Sequence, residues 1–176
     1  DGAPHRASCP VEIVNTRAPM WTMINDFRIE KSRLPVVLVT VDGQRVSGDL
    51  FVQASARNQL GHETARDVLN APEPYFPIAT MKGRTLLLAK DNVRELFVAR
   101  EDAEQEEWEF GTPAEVDVVM QGGSRHLGTI LIQQSSGRQR VLDYLNRLGD
   151  RFLALHKDEG IVLLNRARIA HVCHEA

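Results

Sequence analysis

An internal repeat constrains the fold more than any other feature of this sequence. The chain aligns with itself at an offset of about 80 residues, which places residues 36–39 on 116–119 and residues 50–53 on 130–133. After a deletion of about four residues in a loop, the alignment resumes at an offset of about 76. The identical pairs include Gly43 and Gly123, Gly48 and Gly128, Asp67 and Asp143, Asn70 and Asn146, Phe76 and Phe152, and Leu87 and Leu163. Their common order along the chain indicates a duplication.

Each copy predicts the order strand, strand, helix, strand, strand, strand. Runs of apolar residues alternate with turn residues, as in Asp42-Gly43, and the strands are short. Short strands gain stability by closing into small barrels without exposed edges. The predicted strands are 36–41, 46–53, 76–81, 85–89 and 93–98, then 116–120, 126–134, 152–156, 161–164 and 169–174, with helices at 63–69 and 138–145. The expected fold is mainly β with short helices, as two duplicated small β-barrel domains, each β-β-α-β-β-β.

Four segments follow from this repeat. Residues 1–35 form an N-terminal arm with an amphipathic helix, 36–98 the first barrel, 99–114 an acidic linker and 115–176 the second barrel. Gly48, inside a strand, predicts a bulge or bend. Asn70 is expected to end its helix in the left-handed conformation.

The strand pattern resembles the Sm-like and SH3-like small barrels. The resemblance is carried by Val37-x-Val39-x-Val41-Asp42-Gly43 with Gly48-x-Leu50, and by Lys90-x-x-Val93-x-x-Leu96 with Arg166-x-x-Ile169-x-x-Val172. A helix replaces the short RNA-binding loop of the Sm-like family, and its Arg-Gly pair is Lys90-Asp91 or Arg166-Ala167 here. RNA binding is therefore carried over to no residue. The PRC-barrel group is similar too, as a second choice.

Composition excludes several classes of function. The net charge of −3 gives no general attraction to phosphate backbones or anionic lipid. The apolar runs are too short to span a bilayer, and the first ten residues lack a signal-peptide pattern. Cys9 and Cys173 cannot make a disulfide framework. We expect a cytoplasmic protein with reduced thiols, with no cofactor and no metal.

Candidate chemical motifs are few. His171, Cys173 and His174 cluster near the end of the chain, but an exposed strand explains them better than a metal site does. No nucleophile elbow or phosphate loop occurs, so no enzyme is expected. Asp67 and Asn70 recur in the second copy as Asp143 and Asn146. They are interpreted either as polar contacts of a repeated site or as groups that cap and end the helices, and the second interpretation is favoured.

The features outside the repeat predict the function. Met20, Trp21, Ile24 and Phe27 form an apolar helical face in the arm, which either caps the first barrel or docks on a partner. Trp108 lies toward the end of the acidic linker, where it is either buried between the two barrels or exposed to a partner. These features favour a non-enzymatic adaptor or accessory structural subunit of a larger protein assembly, docking through the arm. Peripheral association with a membrane through a partner is compatible with this role, but no feature of the sequence selects it. The alternatives are an Sm-like RNA-binding protein using Arg138, Arg140, Arg147 and Arg151, and a ligand-sensing module between the barrels.

Overall fold

Ten antiparallel strands form one sheet, accompanied by two short helices. The computed structural model describes residues 31–53, 63–103, 111–133 and 140–174. In chain order the elements are β1 (Lys31–Thr40), β2 (Arg45–Gln53), α1 (Ala65–Asn70), β3 (Tyr75–Thr80), β4 (Thr85–Ala89), β5 (Val93–Ala99), β6 (Thr112–Met120), β7 (Arg125–Ile132), α2 (Val141–Arg147), β8 (Phe152–Lys157), β9 (Gly160–Asn165) and β10 (Ile169–Cys173). The prediction of a mainly β chain with short helices is confirmed.

The strand order is linear: β10-β6-β7-β8-β9-β5-β1-β2-β3-β4. Each half contributes its strands in the same relative order, so β6 to β10 take the places that β1 to β5 take in the first half. The strands at the two ends of this order, β10 and β4, do not pair with each other among the described residues. The sheet is not closed, so the closure of each half into a barrel is not confirmed.

Two hydrophobic cores lie on opposite faces of the middle of this sheet. Successive side chains of a strand point to opposite faces, and β5 and β9 use both faces. Leu96 and Leu163 point into the first core, whereas Phe97 and Leu164 point into the second. All six residues of β9 are buried. The two halves therefore share their central strands as parts of both cores.

Glycine permits tight turns and close strand contacts. Gly43 and Gly123 have φ of +87° and +89° in the turns that join β1 to β2 and β6 to β7, as their turn positions predict. A Cβ at Gly48 would lie 2.4 Å from the carbonyl oxygen of Ala79, and one at Gly128 would lie 2.6 Å from that of His156. Both glycines thus let a neighbouring strand approach at the same point of each half.

Helix α1 begins with a capping box. The Thr64 hydroxyl accepts a hydrogen bond from the Asp67 amide at 3.1 Å, and the Asp67 carboxylate accepts one from the Thr64 amide at 3.0 Å. The expectation of a left-handed Asn70 is wrong, because no described residue other than glycine has a positive φ. The helix ends at Asn70, the following residue Ala71 has a non-helical backbone with φ of −57° and ψ of 152°, and the Asn70 side chain binds the backbone of Phe152.

A cation seals the end of each helix. Lys90 is 1 % exposed, and its ammonium group donates to the carbonyl oxygen of Ala71 at 2.7 Å. Arg166, its counterpart, donates to the carbonyl oxygens of Leu145 and Asp150, both at 2.9 Å. Lys90 and Arg166 therefore supply donors to carbonyl groups at and just beyond the helix ends.

The strand register corrects one pair of the sequence alignment. Phe76 pairs with Leu88, whereas Leu164, the counterpart of Leu88, pairs with Leu153. Phe76 therefore corresponds to Leu153, and Tyr75 to Phe152. A slip of one residue turns each side chain to the other face, so the pairing of Phe76 with Phe152 is wrong.

The ends of two strands extend into segments assigned to other parts of the chain. β1 begins at Lys31, inside the range predicted for the arm, and β6 begins at Thr112, inside the range predicted for the linker. Their partners β2 and β7 pair along these extensions, as in Lys31 with Gln53 and Thr112 with Ile132. Within the described ranges, no helix has the length and apolar character needed to cross a bilayer.

Candidate docking surface

The outer face of the β3–β4 hairpin exposes large apolar side chains. Pro77 of β3 pairs directly with Leu87 of β4, and Tyr75 lies two residues before Pro77, so the three side chains share one face. Tyr75 is 61 % exposed and Leu87 is 72 % exposed. We call this set, Tyr75, Pro77 and Leu87, the outer face of β3–β4.

β4 also ends the sheet. Among the described strands it pairs only with β3, and its sequence, Thr-Leu-Leu-Leu-Ala, contains no charge, proline or glycine. An apolar edge strand without such residues is a template for pairing with another chain. The outer face and the free edge therefore offer apolar contact and backbone hydrogen bonds at one place.

The corresponding face in the second half is covered. Phe152 and Leu163 correspond to Tyr75 and Leu87 by strand register, and both are fully buried in the first core. The edge of β9 that corresponds to the free edge of β4 is covered as well, because β5 pairs with it. The paired residues run from Glu95–Leu164 to Ala99–Gly160. The same face and the same edge are thus occupied in one half and exposed in the other.

Polar side chains fix the covered face in place. The Asn70 carbonyl oxygen accepts a hydrogen bond from the Phe152 amide at 2.8 Å, and its amide group donates to the Phe152 carbonyl oxygen at 3.5 Å. The buried Asn165 of β9 donates to the carbonyl oxygen of Val93 at 2.8 Å. We call this contact between α1–β5 and β8–β9 the internal junction.

A carboxylate stands near the internal junction on the side of the second core. Glu95 of β5 lies 2.8 Å from the imidazole of His126 in β7 and 3.6 Å from the guanidinium of Arg94. The His126 contact is the main cause that lowers the pKa of Glu95, and the charge of Arg94 acts in the same direction, whereas burial opposes both. This pair connects a strand of the first half to a strand of the second.

The predicted partner-binding residues Met20, Trp21, Ile24, Phe27 and Trp108 lie outside the described residues, as does Arg138. Of the other arginines proposed for RNA binding, Arg140 and Arg147 are exposed at the two ends of α2.

Arg151 lies apart from these two arginines. It is partly buried and lies 3.6 Å from Asp91, a residue of the first half. Arg140 and Arg147 thus lie at one helix, whereas Arg151 contacts the first half of the chain.

The His171, Cys173 and His174 cluster lies in and beside β10, and all three residues are exposed. The His174 imidazole lies 3.1 Å from the carbonyl oxygen of Glu115. Within the described parts of the chain, no three His, Cys, Asp or Glu side chains converge as metal ligands would.

A groove of mixed charge runs beside this cluster. It is lined by Asp117, Arg125, His156, Lys157 and Cys173, among others. Asp117 and Arg125 form an ion pair, and burial lowers the pKa of His156, as does the charge of Arg66. The groove therefore presents both signs of charge and an imidazole whose pKa is lowered by its surroundings.

Sequence reasoning missed Tyr75 and Leu87 as candidate site residues. Leu87 was recognised only as an identity shared with Leu163, which is typical of a core position. What marks the surface is the difference between the exposure of Leu87 and the burial of Leu163, and this difference is known only from the three-dimensional structure.

No known protein family, curated protein or solved structure matches this chain.

Proposed function

We propose that this chain is a non-enzymatic adaptor or accessory structural subunit of a larger protein assembly in the cytoplasm. The observation that carries the proposal is the exposed outer face of β3–β4 at a free sheet edge. We further propose that the two halves are copies of one Sm-like or SH3-like small-barrel unit. The recurring strand order supports this second part of the proposal.

Protein recognition suits this surface better than a small ligand does. Tyr75 and Leu87 project from a strand pair and are more than half exposed, and contiguous apolar surface of this kind commonly marks a protein contact. An added strand would satisfy the backbone of β4, and the apolar side chains would be covered at the same time. The predicted arm, with Met20, Trp21, Ile24 and Phe27, and Trp108 of the linker remain proposed as further partner contacts.

The roles of the recurring polar residues support a scaffold more than an active site. Asp67 caps α1, Asn70 binds the backbone of Phe152, and Lys90 and Arg166 seal helix ends. Each of these groups is engaged in a contact that maintains the fold. The polar residues that the repeat singles out in the first half thus have structural partners.

The RNA-binding alternative has less support. Arg151 is directed toward Asp91, which leaves Arg140 and Arg147, among the described arginines of this set, as exposed cations at the two ends of α2, and Asp143 adds a negative charge to the same helix. A phosphate-binding surface normally concentrates several cations on one face. The ligand-sensing alternative likewise remains a hypothesis, for which the mixed-charge groove is the nearest feature.

Leu87→Lys tests the proposed function. The full chain is tagged and recovered from its native cells, and the proteins retained are identified by mass spectrometry. We expect the wild type to retain one or more proteins in fixed ratio, and Leu87→Lys to lose them, because a charge on an edge strand opposes pairing. Leu127→Lys is the matched control, since Leu127 is exposed on β7, away from this edge. Retention of the same proteins by Leu87→Lys would overturn the proposal.

A further inference from the structure

We propose that the outer face of β3–β4 is covered by α2 and β10 of a second copy of this chain. The inference deepens the proposed function, on which it rests, by naming the partner. It derives from the internal junction, which already joins one half of the chain to the other in this way. The chain carries a second set of the same two surfaces, and both members of that set are exposed.

The internal junction supplies the register. In it, Leu96 pairs with Leu163 and Phe97 pairs with Val162. Transferred to the exposed set by an offset of 76 residues, these pairs become Val172 with Leu87 and Cys173 with Leu86. β10 is as available as β4, because among the described strands it pairs only with β6. Leu87 of one copy would then take the buried environment that Leu163 has within the chain.

The helix of the second half carries the matching polar contact. Asn70 of α1 binds the backbone amide and carbonyl groups of Phe152 in the internal junction. Asn146 is its counterpart in α2 and is exposed, and Tyr75 is the counterpart of Phe152. Asn146 of one copy would therefore bind the backbone of Tyr75 in the other. This explains why the asparagine recurs in both halves although, among the described residues, only Asn70 makes such a contact within one chain.

An exposed leucine lies on the same helix. Leu142 is 66 % exposed, one turn before Asn146, and its counterpart in α1 is Arg66, which donates to Asp150 at 2.8 Å beside the internal junction. Leu142 would thus face the partner at the position where Arg66 contacts Asp150, just before β8. An exposed apolar side chain there suits a contact beside the apolar outer face of β3–β4.

Two of the positions that differ between the internal junction and the proposed one weaken the proposed contact. Gly160 lets β9 approach β5, since a Cβ there would lie 2.1 Å from the carbonyl oxygen of Val98, and its counterpart in the first half is Arg84. Asn165 corresponds to Ala89, whose side chain cannot donate to a neighbouring carbonyl. The contact between copies therefore extends over fewer residues than the internal junction and is weaker. It suits reversible assembly, and Arg84→Gly is expected to strengthen it.

The contact is heterologous, since β4 of one copy meets β10 of the next. Such contacts do not stop at a dimer, because each added copy leaves one β4 edge and one β10 edge free. The assembly grows into an open chain unless the rotation between copies closes it into a ring. A ladder of sizes on cross-linking is the signature that separates this arrangement from a symmetric dimer.

Disulfide trapping tests the register. Cys9→Ser is combined with Leu86→Cys in the full chain, which retains Cys173, and the protein is oxidised with copper phenanthroline and run on a non-reducing gel. Directly opposite residues have Cβ atoms close enough for a disulfide. We expect a ladder of dimers, trimers and larger species. Met81→Cys in the same background is the control, because Met81 is 91 % exposed but lies outside the strand. A ladder no stronger than that of the control would overturn the proposal.

A pair of asparagine variants tests the same contact without cross-linking. We expect Asn146→Ala to weaken self-association about tenfold, as the loss of one bidentate contact implies, and to leave the unfolding of the dilute monomer unchanged. Sedimentation equilibrium measures the first effect and urea unfolding the second. Self-association equal to that of the wild type in Asn146→Ala, or a chain that is monomeric at all concentrations, would contradict the proposal. If Leu87→Lys still abolishes retention of another protein while no ladder forms, the second-copy proposal fails and the proposed adaptor function stands.

Discussion

The Oε2 atom of Glu95 lies 2.8 Å from the Nε2 atom of His126, and this contact joins β5 of the first half to β7 of the second. Both side chains are largely buried, with exposed fractions of 15 % and 13 %. The two halves are thus held together by a polar contact as well as by shared cores. A buried carboxylate with a defined partner makes the stability of the fold depend on pH.

Replacement of Glu95 by Gln should remove this dependence. The His126 contact holds the folded-state pKa of Glu95 below its ordinary value of 4.5. The ionised carboxylate therefore stabilises the fold above that pH, and the contribution is lost as the pH falls through the folded-state pKa. We expect the wild type to exceed Glu95→Gln by about 2 kcal/mol in free energy of unfolding at neutral pH.

Urea unfolding between pH 7 and pH 3 measures this difference. The two proteins should converge in stability at the acid end of the series. Exposed Glu115 supplies the control, and Glu115→Gln should change the free energy of unfolding by less than about 0.5 kcal/mol. A difference between wild type and Glu95→Gln that stays constant across the series would contradict the role of the carboxylate.

Lys90→Met should destabilise the first half. The ammonium group of Lys90 is buried and donates to the carbonyl oxygen of Ala71, and burial is the main cause that lowers the pKa of Lys90. Methionine fills the space but leaves the carbonyl without its donor, at a cost of about 1–3 kcal/mol. Lys82→Met, at an exposed turn, should be neutral in the same urea unfolding measurement. Equal stability of both variants would exclude a sealing role for Lys90.

Gly48→Ala should destabilise the contact between β2 and β3. A methyl group at Gly48 would lie 2.4 Å from the carbonyl oxygen of Ala79 and 2.7 Å from the Ile78 side chain, so the two strands would have to separate. We expect a loss of about 1–3 kcal/mol in thermal or urea unfolding. Gly149→Ala is the matched control, because a methyl group there meets no atom within 4 Å. The prediction fails if the two alanine variants unfold alike.

Local pattern predicted most of the strands. Residues 85–89 match β4, and Val93 and Ile169 begin β5 and β10 as expected, because apolar runs bounded by turn residues indicate strands. The first five residues of β1 were missed, since Lys31 and Arg33 do not follow an apolar pattern and extend only by pairing with β2.

What sequence could not supply was the junction between the halves. Burial of β9 on both faces and its pairing with β5 depend on contacts distant in sequence, and Leu163 and Leu87 look alike until those contacts are known. The helix ending also depended on a tertiary contact, because Asn70 turns to Phe152 and does not adopt a left-handed conformation. The candidate surface was therefore out of reach of repeat analysis alone.

Amide hydrogen exchange of β4 at low and high concentration of the full chain tests the docking surface most directly. β9, which pairs on both sides, should be protected at both concentrations and serves as the internal reference. Those amides of Thr85–Ala89 that point away from β3 should exchange faster than the amides of β9 in dilute solution and become protected as the concentration rises. Exchange of the β4 amides that is independent of concentration would contradict a strand pairing between copies at this edge.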